Sequence, residues 1–362
     1  MQQRLMNTSD PINSTWSNVT GVNAAAAATI TANYAYVVVV TFVQIFDILM
    51  TLPSVAFLIV TLVTVLSSAT LRESSRYVLF VNLLACDSCF LLHSNVMATL
   101  VWCRATIAFV PCYMYIILAS VLNHAGAIFV TAMSVERYVA VCHPLRYHSW
   151  FGPRATLRAI ACIWSVVSMY PLLQVILAFS GGGSDEPSLS QTSVCMPNQI
   201  DMLLHHGTAL ITLRELVNSV VFVMSVAVML FTYTQIVRAA RKSAASGGRG
   251  RRSGDGGGEG DLNSACRARN TVALHGLQLV LYLSALGNEV FLLLLSLVTS
   301  NVKIITLCRV LFYSVLFVTS RMVIPLVYGL RDQELRRQMK RRLPCGAAGK
   351  VRQSLTHGPA MS

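Results

Sequence analysis

Seven stretches of this chain are apolar over the length needed to cross a lipid bilayer, and that pattern restricts the fold more than anything else in it. They run approximately over residues 37–67, 77–101, 108–141, 159–179, 208–236, 268–298 and 304–328. At about 1.5 Å rise per residue, about 20 helical residues span the roughly 30 Å hydrocarbon layer. No water is available there to satisfy backbone N–H and C=O groups, so each stretch must close its hydrogen bonds within itself as a helix. The expected fold is an all-α membrane protein, a seven-transmembrane helix bundle. The hydrophobic fraction of 54% and the charged fraction of 12% agree, since soluble domains carry about a quarter charged residues.

An odd number of spans puts the two ends on opposite sides, and basic residues mark the inner one. With the N-terminus outside, all 28 Lys and Arg residues lie inside except Arg4, Arg104, Arg214, Lys303, Arg309 and Arg321. The expected protein is a multi-pass plasma-membrane protein with an extracellular N-terminus and a cytoplasmic C-terminus. The net charge of +13 then reflects an anionic inner leaflet and inner partners, not nucleic acid.

Three regions follow. Residues 1–36 form an extracellular tail with Asn-x-Ser/Thr sites at Asn7, Asn13 and Asn18, and three sequons ahead of a span favour glycosylation. Residues 37–328 form the bundle, interrupted by a Gly/Arg/Ser-rich segment at 243–266 that cannot bury a core and is expected to be a disordered inner loop. Residues 71–76 read as a short charged turn, Asp47 as a group of the outer interface, and Pro53 as a kink in the first span. Residues 329–362 form a cytoplasmic tail. There Leu335, Met339 and Leu343 recur every four residues among basic neighbours, the pattern of a short amphipathic eighth helix on the membrane surface. Cys345, just beyond, is either a palmitoylated anchor or a plain thiol.

The most informative words stand at the end of the third apolar run: Met133-Ser-Val-Glu-Arg-Tyr-Val-Ala-Val-Cys-His-Pro-Leu-Arg-Tyr147. Glu136 and Arg137 are costly to place at the inner end of a span unless they are used. Pro144 must end that helix, because it lacks an N–H and restricts His143 before it. The pair reads as a conformational lock; the plainer alternative is a static ion pair at the interface.

These words resemble the rhodopsin-like (class A) G-protein-coupled receptors. Asp87 in Asn82-Leu-Leu-Ala-Cys-Asp87 is similar to that family's second-helix acid, and Trp164 to its fourth-helix tryptophan. Tyr233 is similar to its fifth-helix tyrosine, and Pro325-Leu-Val-Tyr328 to the end of NPxxY. Within the family the wording resembles odorant receptors, those of fish above all, in Met133–Tyr147, in Arg269–Leu279 with His275, and in Ser320–Asp332. The departures are Ile324 for the Asn of NPxxY, Gly126 where odorant receptors often carry an acid, no Asn in the first helix, and a longer third inner loop.

The resemblance implies a receptor, not an enzyme, that binds a small-molecule odorant and activates a stimulatory olfactory-type heterotrimeric G protein. On activation Arg137 would leave Glu136 while Tyr138, Tyr233, Pro325 and Tyr328 take part in the inward rearrangement. Arrestin, a receptor kinase and membrane lipid are the further partners it implies. It also implies a disulfide between Cys112 and Cys195; a second one between Cys103 and Cys308 stays open. The losses around Asp87 argue against a bound sodium ion. Arg321, read as the only basic group deep in a span, offers an Asp87–Arg321 bridge in its place. The alternative has Arg321 reaching for the interface and Asp87 protonated.

For the ligand, the outer half of the bundle carries Ser120, Asn123 and His124 on the third span and Glu215 and Asn218 on the fifth. The sixth adds Asn288 and Glu289, and the seventh Tyr313 and Ser314. Each alone is as well explained by a helix–helix hydrogen bond. No cofactor or metal site is expected, since the ten cysteines show no zinc spacing and His205-His206 is an isolated pair. Catalytic triads and phosphate loops are missing, and no internal repeat suggests a transporter. The rival readings are a non-olfactory class A receptor for a peptide or lipid, or a transporter.

Overall fold

The computed structural model describes residues 11–103, 105–180, 195, 204, 206–250, 294–295, 297–299, 302–312 and 318–342. The described elements are α1 (Pro11–Leu66), α2 (Ala69–Glu73), α3 (Ser75–Trp102), α4 (Phe109–Cys142), α5 (Pro144–Trp150), α6 (Pro153–Phe179), α7 (Gly207–Gly250), α8 (Val302–Phe312), α9 (Thr319–Arg331) and α10 (Gln333–Arg342). Five are long and apolar enough to cross a membrane: 37–66 of α1, then α3, α4, α6 and 207–239 of α7. The pieces α8 and α9 cover most of the seventh expected span. The expected sixth span lies almost wholly outside the described residues.

Several boundaries depart from expectation for local reasons. The helix α1 starts at Pro11, well ahead of the apolar run, so Asn13 and Asn18 fall on its first turns, while Asn7 lies outside the described residues. Asp47, expected in the outer interface, is buried at 7% exposure. The charged turn at 71–76 is partly the helical turn α2, whose Leu71 is fully buried. Pro153 takes the first position of α6, where its missing N–H costs nothing, so this helix begins six residues before the expected 159. The backbone of α7 stays helical to Gly250, eight residues into the stretch expected to be loop; Ala239, Ala240, Arg241 and Lys242 carry the helix out of the span as strong helix formers, whereas Gly247, Gly248 and Gly250 do not account for its last turns. Pro144 does end α4, with His143 at φ −134° and ψ 55° between α4 and α5.

The bundle is held from two ends. Phe80, Leu83, Leu84, Phe129, Val130 and Met133 form the larger apolar cluster between α3, α4 and their neighbours. Trp164 of α6 sets its ring edge-on to Phe129 at 5.9 Å and directs its Nε1–H at Asn82 Oδ1, 3.5 Å away. At the other end Phe109, Tyr113, Ala178 and Leu210 pack around the Cys112–Cys195 disulfide, whose Cα atoms are 5.7 Å apart. Cys103 and Cys308 are both free thiols, so the second bridge is not formed.

Large apolar side chains such as Leu52, Ile59, Leu172, Ile176 and Val223 face outward. Ser54, Thr61, Asp87, Ser88, His124, Ser225 and Arg321 are buried. A bundle in lipid gains little by burying leucine, so close packing and polar contacts occupy its interior. Gly329 shows the closeness directly: a Cβ there would run into the Phe57 ring of α1.

The expected eighth helix is α10, capped by Asp332, whose Oδ1 accepts from Leu335 N–H at 2.9 Å. Two residues of its apolar stripe pack on the bundle, and the third, Leu343, lies outside the described residues. Leu335 is fully buried and Met339 is 8% exposed, both in the larger cluster, while Arg336, Arg337, Lys340 and Arg341 are exposed. Asp332 also pairs with Arg76 and accepts from Tyr77 Oη at 2.9 Å, which ties the start of α10 to the start of α3.

Candidate functional site

Glu136 and Arg137 sit in the last two turns of α4, the turns that Pro144 terminates. Glu136 is 2% exposed, with Arg137 Nε 3.5 Å from its Oε2. The other oxygen accepts a hydrogen bond from Tyr147 Oη at 2.7 Å. Tyr147 lies on α5, on the far side of the turn that Pro144 creates, so the proline brings it back under the carboxylate. Burial, then the Glu136 charge, push the Tyr147 phenol above the usual tyrosine value. It therefore stays a donor at neutral pH. At 3.5 Å the ion pair is looser than a close charge-assisted hydrogen bond of about 2.7–2.9 Å. Its attraction is offset by desolvation, which leaves it exchangeable for another partner.

The other residues expected to take part in activation are placed as follows. Tyr138 Oη is 3.1 Å from His143 Nε2, and its ring meets Phe231 of α7 edge-on at 5.8 Å. Tyr233 of α7 packs against the larger cluster. Pro325 is buried on α9, with Tyr328 one turn on. The Tyr328 side chain lies outside the described residues. Leu145, on the first turn of α5, is 98% exposed.

Deeper in the bundle, three helices meet at one guanidinium. Arg321 of α9 is 3% exposed. Its Nη1 donates to Asp87 Oδ1 of α3 at 2.6 Å, and its Nη2 donates to Asn123 Oδ1 of α4. Its Cζ stands 4.5 Å over the Phe90 ring, close enough for a cation–π contact. Gly126 makes the space: a Cβ there would lie 3.2 Å from both Arg321 Nη1 and Asp87 Oδ1. The residue that departs from the odorant-receptor wording thus leaves room for an internal cation. Asn123, expected at the ligand, is placed on this node.

The other expected ligand residues are partly bonded to one another. His124 is buried, its Nε2 2.9 Å from Asn218 Oδ1 of α7 and its Nδ1 3.4 Å from Ser120 Oγ. Tyr170 of α6 lies edge-on to its ring at 5.7 Å. Glu215 is exposed on α7, and its neighbour Arg214, 9% exposed, is the charged residue turned inward. Arg321 is therefore not the only basic group buried in a span. Asn288, Glu289, Tyr313, Ser314 and His205 lie outside the described residues, among which no His, Cys, Asp or Glu cluster is arranged to hold a metal.

Sequence reasoning missed Tyr147, Arg214 and the Asp332 latch. Tyr147 closes the very motif that was singled out, but only the turn at Pro144 brings it onto Glu136. Arg214 had a usable signal: Leu210, Arg214 and Asn218 repeat every four residues on one helical face.

Residues 57–328 match the family described as 7 transmembrane receptor (rhodopsin family). Odorant receptor 131-2 of Danio rerio is 28% identical over 285 residues, which is 78% of this chain and 80% of that protein. Olfactory receptor 4Q3 of Homo sapiens is 26% identical over 300 residues, 78% of this chain and 84% of its own length. Olfactory receptor 11G2 of Homo sapiens is 24% identical over 286 residues, 74% and 72% of the two chains.

Proposed function

The chain belongs to the rhodopsin family of seven-transmembrane receptors, and from that premise we propose that it is an odorant receptor coupled to a stimulatory heterotrimeric G protein. It is a non-enzymatic, multi-pass plasma-membrane protein of olfactory type. In the proposed arrangement the N-terminus is outside, the ligand enters the half of the bundle nearest the Cys112–Cys195 disulfide, and the G protein meets the opposite half. The observation that carries the reading is the lock on the inner half. Glu136 is held by Arg137 at 3.5 Å and by Tyr147 at 2.7 Å, at the end of a helix packed on α3, α6 and α7.

In the resting state Glu136 restrains Arg137 and, through Tyr147, the position of α5. Ligand binding shifts a two-state equilibrium by its differential affinity for the two arrangements. In the active one, Arg137 exchanges Glu136 for the G protein, Tyr233 and Tyr328 close in, and exposed Leu145 supplies an apolar knob beside it. Arrestin and a receptor kinase would use the same inner face. The test is ligand-dependent cAMP in cells with the receptor at their surface, wild type against Arg137→Ala. The reading requires a response that Arg137→Ala abolishes without loss of surface protein. A ligand-driven current or uptake that survives removal of the G protein would replace it with a transporter.

A further inference from the structure

We infer that Asp332, with Arg76 and Tyr77, is a positioning residue for G-protein coupling: this latch holds the inner lock closed and restrains the seventh span with it. The inference rests on the receptor reading and deepens it. Asp332 is the single residue between the end of α9 and the start of α10, and both of its oxygens are used. Oδ1 accepts from Leu335 N–H and from Tyr77 Oη, each at 2.9 Å, while Oδ2 pairs with Arg76 Nη2. Leu335, fully buried, and Met339 then seat α10 in the larger apolar cluster. The inner end of α9, the helix that carries Pro325 and Tyr328, is thereby fastened to the inner end of α3. The inward movement proposed for Tyr328 has to carry this junction with it or open it.

The same end of α3 reaches the lock. Ser75, beside Arg76 and 2% exposed, donates to the Phe151 carbonyl and lies within hydrogen-bonding distance of Thr156 Oγ1 of α6. Phe151 closes α5, and its ring stacks on that of Tyr147 at 5.7 Å. Tyr147 in turn holds Glu136 at 2.7 Å. A second line runs through charge. Burial and then Glu136 push the Tyr147 phenol up, whereas Arg137 and Arg76 pull it down, so the field of Arg76 is felt at the hydroxyl that restrains Glu136. One guanidinium therefore faces both fastenings. Releasing Arg76 from Asp332 loosens the start of α3, and with it the seat of α5 under Glu136.

The experiment uses the full receptor in cells and reads ligand-free cAMP per receptor at the surface. Asp332→Asn keeps an oxygen to cap α10 and meet Tyr77, and turns the other into an amide NH2 facing the guanidinium, so it removes the ion pair alone. It should raise ligand-free cAMP roughly two- to fivefold, the range for a partly exposed pair. Arg76→Gln should do the same, and Arg76→Lys should stay near the wild type. Asp332→Asn combined with Arg76→Gln should go no further than either alone. Asp332→Asn combined with Tyr147→Phe should fall short of the product of the two effects, because the groups belong to one connected structure. A full product means two independent restraints and overturns the link to the lock. Unchanged cAMP per receptor in Asp332→Asn and Arg76→Gln, with or without lower surface staining, means a structural tie only and overturns the positioning role. In both cases a rise in Tyr147→Phe leaves the receptor reading standing. If Tyr147→Phe and Glu136→Gln are silent as well, the latch and the coupling reading fall together.

Discussion

Adding one methyl group at Gly126 should destabilise the protein, and should stop doing so once Arg321 is shortened. A Cβ at Gly126 would lie 3.2 Å from Arg321 Nη1 and 3.2 Å from Asp87 Oδ1, tighter than ordinary van der Waals contact on two sides. Overpacking of this kind costs about 1–3 kcal/mol. The helix itself would gain about 1 kcal/mol from replacing glycine by alanine. The net expectation for Gly126→Ala is a loss of about 0–2 kcal/mol. In Arg321→Gln the shorter side chain vacates one of the two crowded contacts, so the same methyl should become neutral or stabilising by up to about 1 kcal/mol.

Arg321→Gln alone leaves Asp87 buried without its cation. Removing one member of a buried pair costs about 3–5 kcal/mol, a factor of roughly 150–5,000 in the folded ratio at 1.36 kcal/mol per decade. Asp87→Asn combined with Arg321→Gln removes both charges and leaves two amides able to bond each other, so it should be milder than Arg321→Gln alone. The assay is thermal inactivation of these four variants, of Asp87→Asn alone and of the wild type in one detergent, read by monodispersity on gel filtration. Effects of Gly126→Ala that add to those of Arg321→Gln within about 0.5 kcal/mol would show that the guanidinium does not fill the space beside Gly126. A double charge variant as damaged as the sum of its singles would remove the ion pair from the account.

Four further outcomes are expected. Tyr147→Phe removes a hydrogen bond to a charged group, worth about 1.5–3 kcal/mol, so ligand-free cAMP should rise roughly tenfold at equal surface expression. Because the Tyr147 phenol is pushed up by burial and by Glu136, the protonated donor is favoured in the folded state. Its contribution is fully present below the ordinary tyrosine pKa of about 10 and is lost as pH rises from there through the raised value, so ligand-free signalling in inside-out membranes should stay flat up to about pH 10 and rise above it. Cys112→Ser and Cys195→Ser should each lower surface staining by removing the link across the Tyr113–Leu210 cluster, and reducing agent should lower the wild type towards them. Leu145→Ala should weaken G-protein activation several-fold while leaving ligand-dependent thermal stabilisation unchanged, since the side chain is 98% exposed.

The helices were legible in the sequence because bilayer thickness and backbone hydrogen bonding leave an apolar run of this length one solution. The same holds for the break at Pro144, a local steric fact of the chain. The polar groups were legible as a set, because charges and amides are conspicuous in apolar helices; their partners were not. Asn123 and His124 are adjacent in sequence, yet about 100° apart on the helix, so one meets Arg321 and the other Asn218. The same rotation turns Arg214 inward and Glu215 outward. Composition reports that a helix carries a charge, whereas its azimuth is set by the helices packed around it. Thus the chain by itself determined membrane helices, the break at Pro144 and the lock motif. The tertiary structure decided which side chains the lock and the central cation engage. A span one residue further round presents a different face to its neighbours, and no local rule in an apolar sequence chooses between the two.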